Sequence, residues 1–136
     1  MVEETLEDRK IEKGERFLEA LDVAGVPVDA ALWFYFPESE KWRLVVATPI
    51  KEKEGPRAAY RAFREAREAA DPPIEFGSGE IRAASRDDPI IKALWGFGVP
   101  PSQLVGKRFG GPYINGVAFE GAYLYRAPTR KRAAAR

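Results

Sequence analysis

The chain has no cysteine and no histidine in its 136 residues. Without thiol or imidazole there is no Cys-His or Ser-His-Asp nucleophilic machinery, no histidine proton transfer, and no Cys/His zinc or iron–sulfur site. Disulfides are excluded as well. The chemistry left is that of carboxylate, lysine, tyrosine and serine, or of an oxygen-ligated Mg²⁺, Mn²⁺ or Ca²⁺. No cofactor is implied. Long apolar runs are also lacking: Ala30 to Phe36 and Leu44 to Ala47, even with their neighbours, fall far short of the roughly twenty residues of a membrane helix. The opening Met1-Val2-Glu3-Glu4-Thr5-Leu6-Glu7-Asp8 is acidic where an export signal is basic and then apolar. The expectation is a cytoplasmic protein with no membrane partner. Asparagine, glutamine and methionine each occur once (Asn115, Gln103, Met1) beside abundant Arg, Glu, Ala and Pro. That composition matches a thermophile's habits, and a GC-rich genome gives a similar bias.

What is present is globular in character. Apolar residues make up 45% and charged residues 32% of the chain, enough to fold and bury roughly two thirds of the unfolded surface in one domain. The net charge of +1 hides an asymmetry. Residues 1–22 carry eight acids and four bases, whereas residues 126–136 carry Arg126, Arg130, Lys131, Arg132 and Arg136 with no acid.

Ile11, Gly14, Phe17, Leu18, Leu21 and Ala24 recur at three- and four-residue steps and predict a first helix over residues 3–24, ended by Gly25 and Pro27. Ala30–Phe36 and Lys41–Thr48 read as strands about a Pro37-Glu38-Ser39-Glu40 turn. If Phe36 faces Lys41, then Trp33, Tyr35, Trp42, Leu44 and Val46 share one face. Leu32, Phe34, Phe36, Lys41, Arg43 and Val45 share the other, which is expected to be only partly covered. Lys51–Glu54 reads as a charged loop. A second helix starts at Gly55-Pro56 with the stripe Ala59, Tyr60, Phe63, Ala66 and Ala70, and ends at Asp71-Pro72-Pro73. A short strand follows at Glu80–Ala84. A short helix comes next, with Asp88 as cap and Pro89 at its first position. Strands near Lys107–Phe109, over Tyr113–Phe119 and over Ala122–Arg126 complete the order, the last two joined by a turn at Glu120-Gly121. The expected fold is α+β: a mostly antiparallel sheet of five to six strands with two long helices and one short helix packed on it. Residues 1–126 form the domain, and 127–136 form a basic, mobile tail.

The candidate sites are few. Glu38, Glu40 and Lys41 form an acid-acid-lysine string of the kind that holds Mg²⁺ and steadies a phosphate in metal-dependent nucleases, although all three share one tight turn, whose composition accounts for them. Asp87 and Asp88 could bind a cation, and helix capping explains Asp88 without one. Lys107 and Arg108, set between Gly106 and Gly110-Gly111, could form an anion-binding loop with backbone N–H groups. Neither this stretch nor Gly77-Ser78-Gly79 nor Gly96-Phe97-Gly98 matches a phosphate-binding fingerprint. Arg57, Arg61, Arg64 and Arg67 lie on the outward side of the second helix, where Arg61–Glu65 and Arg64–Glu68 are spaced to pair. With the tail's Arg130, Lys131 and Arg132 they would make a strip suited to phosphates.

The run Ala31-Leu32-Trp33 through Trp42-Arg43-Leu44-Val45-Val46-Ala47-Thr48-Pro49, with Ile114-Asn115-Gly116 and Ala122-Tyr123-Leu124-Tyr125-Arg126, resembles small bacterial proteins of unknown function over most of the chain. The resemblance implies a bacterial source and carries no catalytic or binding residue. The sequence therefore leads to a non-enzymatic binding or accessory module that contacts nucleic acid or an acidic protein through basic surface and a partly open sheet face. A carboxylate- and metal-dependent phosphodiester hydrolase is the alternative. Self-association into a homo-oligomer through an exposed apolar sheet face is the third reading.

Overall fold

The computed structural model describes residues 6–129. Its elements, in chain order, are α1 (Asp8–Val23), β1 (Ala30–Phe36), β2 (Lys41–Ala47), α2 (Pro49–Glu54), α3 (Pro56–Ala69), β3 (Ile81–Ala84), α4 (Pro89–Ala93), β4 (Arg108–Phe109), β5 (Tyr113–Ile114), β6 (Val117–Ala118) and β7 (Ala122–Arg126). Short 3₁₀ turns at Leu94–Gly96 and Pro101–Leu104 fill the stretch between α4 and β4. The fold is α+β, with a five-stranded sheet ordered β3-β2-β1-β7-β4 and a separate β5-β6 ribbon.

The sheet is mixed. β1 pairs antiparallel with β2 and β7, and β4 with β7, but β2 and β3 run parallel. A parallel neighbour needs a crossover of a dozen residues or more. Residues 48–80 supply it through α2 and α3. The expected charged loop at 51–54 is therefore a helix. Thr48 caps it, accepting from the Ile50 N–H at 3.3 Å, and Pro49 occupies its first turn. The Thr48 hydroxyl also donates to the Pro27 carbonyl at 2.7 Å, and its side chain is fully buried.

α1 starts at Asp8 because Leu6 is drawn into the core instead of extending the helix. Leu6 and Ile11, on either side of the Glu7 cap, pack into one cluster in the arrangement of a hydrophobic staple. At its other end the Val26 N–H bonds Leu21 O at 2.9 Å and the Gly25 N–H bonds Asp22 O at 3.1 Å. With Gly25 at φ +79°, this is a Schellman termination.

Phe36 does face Lys41, and Trp33↔Leu44 and Leu32↔Val45 follow in register. The core is consequently split by the sheet into two layers. On one face Trp33, Leu44 and Val46 pack with Phe17 and Leu21 of α1 and Phe63 of α3. On the other, Leu32, Phe34 and Val45 pack with Ile91, Leu94, Phe119 and Leu124. That second face was expected to be only partly covered: α4, the 3₁₀ turns and the β5-β6 ribbon close it over Leu32, Phe34 and Val45, while at its turn end Phe36 and Arg43 are half-buried and Lys41 is exposed. The ribbon is itself a correction to the single strand expected over Tyr113–Phe119. Asn115 (φ +51°) and Gly116 (φ +82°) form a tight reverse turn that folds the segment back, so Tyr113 faces Ala118. Ile114 and Val117 then cover the cluster, and β6 does not pair with β7.

Order also continues past the expected boundary at 126. Ala127 packs on the second cluster, Pro128 is buried, and Arg86 donates to Thr129 O at 2.8 Å. Residues 130–136 of the expected tail lie outside the described residues. Among the described residues no helix is long and apolar enough to cross a membrane.

Candidate functional site

The residues singled out in the sequence are dispersed. Glu38, Glu40 and Lys41 are exposed at the β1–β2 turn. Asp87 and Asp88 follow β3, which runs parallel to β2, and so they sit at the opposite end of the sheet. Asp88 is buried and fully employed: it accepts from the Ile90 N–H at 2.9 Å as the α4 cap and pairs with Arg82 at 3.0 Å. Among the described residues no group of three or more carboxylates converges to hold a metal ion.

The basic candidates separate as well. Arg57, Arg61 and Arg64 are exposed on α3, which packs against α1 and β3. Among the described residues, the Arg61–Glu65 and Arg64–Glu68 pairs are not within ion-pair distance, so that face is not self-compensated as the spacing suggested. Arg108 lies at the far edge of the sheet and acts as a clasp, donating to Leu6 O at 2.7 Å and pairing with Asp8 at 2.7 Å. Lys107 is exposed. The N–H groups of Gly106 and Lys107 are taken by Leu124 O (2.8 Å) and Leu104 O (3.1 Å), so this loop has no N–H cradle to offer an anion. Arg126 is bound to Asp22 through two hydrogen bonds, of 3.1 and 2.6 Å. The acidic beginning and basic end of the chain thus partly neutralise each other. Arg130, Lys131 and Arg132 lie outside the described residues.

What the fold does bring together is a set of cations around the segment between α3 and β3. Lys13 donates to Glu75 O at 2.9 Å, Arg16 to Pro72 O at 2.8 Å, Arg67 to Ile74 O at 3.3 Å, and Arg43 to Gly79 O. Two of these side chains come from α1, one from α3 and one from β2. Each carbonyl satisfies a donor and fixes the shape of the segment, but a carbonyl cancels no charge. The segment's own acids Asp71 and Glu75 are exposed, and neither is within ion-pair distance of the four among the described residues.

Glu80 is the one carboxylate drawn into the cluster. It lies 2.6 Å from Lys10 and 3.9 Å from Lys13, and accepts from the Gly77 N–H at 2.8 Å. Burial pushes its carboxyl up, but the hydrogen bonds from Lys10 and Gly77 and the charges of Lys10 and Lys13 outweigh that and hold it below its ordinary value. The bonds around Glu80 and Arg43 bend the Gly77-Ser78-Gly79 stretch between two hollows. The first, about 210 Å³, is lined by Lys10, Lys41, Trp42, Arg43 and Glu80. The second, about 350 Å³, is lined by Tyr60, Phe63, Arg67, Phe76 and Ile81. Both share Gly77, Ser78 and Gly79 as a common wall.

In the second hollow the Arg67 Nε is buried without a hydrogen-bond partner. Tyr60 stands at the rim, 43% exposed as a residue, and its phenol oxygen accepts from the Ala83 N–H at 2.9 Å. Lys13 lies 4.5 Å over the Phe76 ring, a cation–π contact that keeps it at the loop. Chemically, this arrangement offers cations in one hollow and aromatic faces with one free guanidinium donor in the other.

Of these residues the sequence had singled out Lys41, Arg67 and the glycine stretch, each for another reason, and had set Tyr60 and Phe63 in a buried stripe, from which Tyr60 departs by being exposed. Lys13, Arg16 and Arg43 carry no local signal, because their partners lie 36 to 62 residues away along the chain. The chain matches no family model, no curated protein and no solved structure.

Proposed function

We propose that the protein is a non-enzymatic binding module that holds an anionic partner, nucleic acid or an acidic protein surface, at the 72–80 segment. The observation that carries this reading is the set of four cations bonded to carbonyl oxygens there. Such bonds pin the guanidinium groups of Arg16, Arg43 and Arg67 without neutralising them, while Lys13 shares Glu80 with Lys10, and this leaves a fixed positive field beside a concave surface. Lys41, exposed at the lip of the first hollow, adds a further charge. The candidate carboxylates Glu38 and Glu40 lie at the opposite end of the sheet from Asp87 and Asp88, and Asp88 is engaged as a cap, which weighs against the metal-dependent hydrolase. The cover over Leu32, Phe34 and Val45 weighs against self-association through that sheet face.

The test is binding of a labelled polyanion, followed by fluorescence anisotropy across a salt series. Affinity is expected to fall linearly in log–log form. Lys41→Glu and Arg16→Gln are each expected to weaken binding and flatten that slope, while Arg57→Gln leaves it nearly unchanged. Binding that ignores salt, or that responds only to substitution of Arg57, Arg61 and Arg64, would count against this location.

A further inference from the structure

Building on that reading, we infer that the partner is a single strand of nucleic acid, with phosphates held in the first hollow and a base laid against Tyr60 in the second. The two hollows differ in chemistry in the way the two parts of a nucleotide do. One is cationic through Lys41 and Arg43, its Lys10 being paired with Glu80 on the same wall, and the other is aromatic, through Tyr60, Phe63 and Phe76. They meet at a glycine-flanked bend, so one chain can pass from the first to the second over a wall with almost no side chains.

Tyr60 is suited to be a platform. Its hydroxyl is held by the Ala83 N–H, its ring sits edge-on to Phe63 with centroids 6.1 Å apart, and nearly half of the residue remains open. An aromatic face held in place this way accepts any base by stacking. The unpartnered Arg67 Nε at the same hollow gives a donor that a base edge or a phosphate oxygen would satisfy.

An intact duplex fits this geometry poorly. Its bases are stacked on one another and closed to Tyr60, and its convex backbone meets cations that lie inside a concavity. An acidic peptide could use Lys41 and Arg43 but leaves the aromatic hollow unused. It also cannot add as a strand along β3 at Ala83, whose N–H is already taken by Tyr60.

The experiment uses a fluorescein-labelled oligothymidylate as the probe, with the matched duplex, heparin and polyglutamate as competitors at equal charge. The single strand is expected to compete at least tenfold better than any of the three. Tyr60→Leu should weaken the single strand roughly tenfold, the scale of one lost stacking contact. Tyr60→Phe, which keeps the ring but releases it from the Ala83 N–H, should weaken binding less than Tyr60→Leu does, and melting curves followed by circular dichroism confirm that each variant is folded. If Tyr60→Leu is folded and binds unchanged, or if heparin and polyglutamate compete as well as the single strand, the base-stacking inference falls while the anionic-partner reading stands. If no polyanion binds at low salt, both fall.

Discussion

Gly14 lies in the middle of α1, where alanine is intrinsically better by about 1 kcal/mol, yet Gly14→Ala is expected to destabilise the protein. A Cβ at this position would lie 2.3 Å from the Tyr125 hydroxyl oxygen, 2.8 Å from Tyr125 Cζ and 3.0 Å from Trp33 Nε1. The phenol cannot simply swing away. It accepts from Trp33 Nε1 at 3.0 Å and donates to Ile11 O at 2.5 Å, which ties β1, β7 and α1 together at one oxygen. Displacing it weakens two partly buried hydrogen bonds of about 1 kcal/mol each, and overpacking adds about 1–3 kcal/mol. Set against the helix-propensity gain, the net loss is about 2–4 kcal/mol. Urea unfolding followed by tryptophan fluorescence should show the midpoint falling with the slope unchanged, and a melting temperature lower by roughly 4 °C per kcal/mol. Tyr125→Phe alone should cost about 1–2 kcal/mol, since it leaves the indole N–H without its partner. Adding Gly14→Ala to Tyr125→Phe should then cost clearly less than Gly14→Ala does in the parent, a coupling of about 1 kcal/mol between touching residues. A stabilising Gly14→Ala, or strict additivity of the two substitutions, would refute this account of the helix–sheet contact.

Three further outcomes follow from the same geometry. Because the folded protein holds the Glu80 carboxyl below its ordinary value, its contribution is fully present above that value and is lost as pH falls through the folded one; stability measured between pH 5 and 3 should decline less steeply in Glu80→Gln than in the parent. Burial raises the Tyr125 phenol above its ordinary 10.0, so the unfolded chain ionises first and stability is lost as pH climbs beyond about 10. Tyr125→Phe should flatten that alkaline limb, and an unchanged limb would remove Tyr125 as its source. Asp88→Ala deletes the α4 cap and the partner of Arg82 together and should cost about 1–3 kcal/mol by chemical denaturation, whereas the exposed neighbour Asp87→Ala should change stability by less than about 0.5 kcal/mol.

How far the sequence carries depends on the distance over which each signal acts. The β1–β2 register was legible because the Pro37–Glu40 turn and the period-two alternation lie within a few residues of each other, and they fix Trp33 opposite Leu44. The Gly25 termination and the Asp88 cap were legible for the same reason. α2 was overlooked although Thr48-Pro49 is a cap followed by a first-turn proline; the charged run after it has no apolar stripe to betray a helix, and none of its residues is buried. The Asn115-Gly116 turn was overlooked because the flanking pairs are only two residues long, too short for alternation to register. The cover on the second face was not readable either, since it comes from residues 90–119 folding back over strands near residues 32 and 45. The candidate site is the extreme case. Its cations sit on α1, β2 and α3, and only the assembled sheet makes them neighbours of one loop.

The place of β7 in the sheet has a consequence for how the chain comes into being. The strand made last, Ala122–Arg126, is inserted between β1 and β4 and bears the phenol that gathers α1 and β1. Until it emerges, Ala30–Phe36 has one unfilled side, a nearly all-apolar strand with its main-chain groups bare to any other chain nearby. Ribosomes that stall, or messages that end, before residue 122 would therefore release a sticky fragment in place of a smaller working protein.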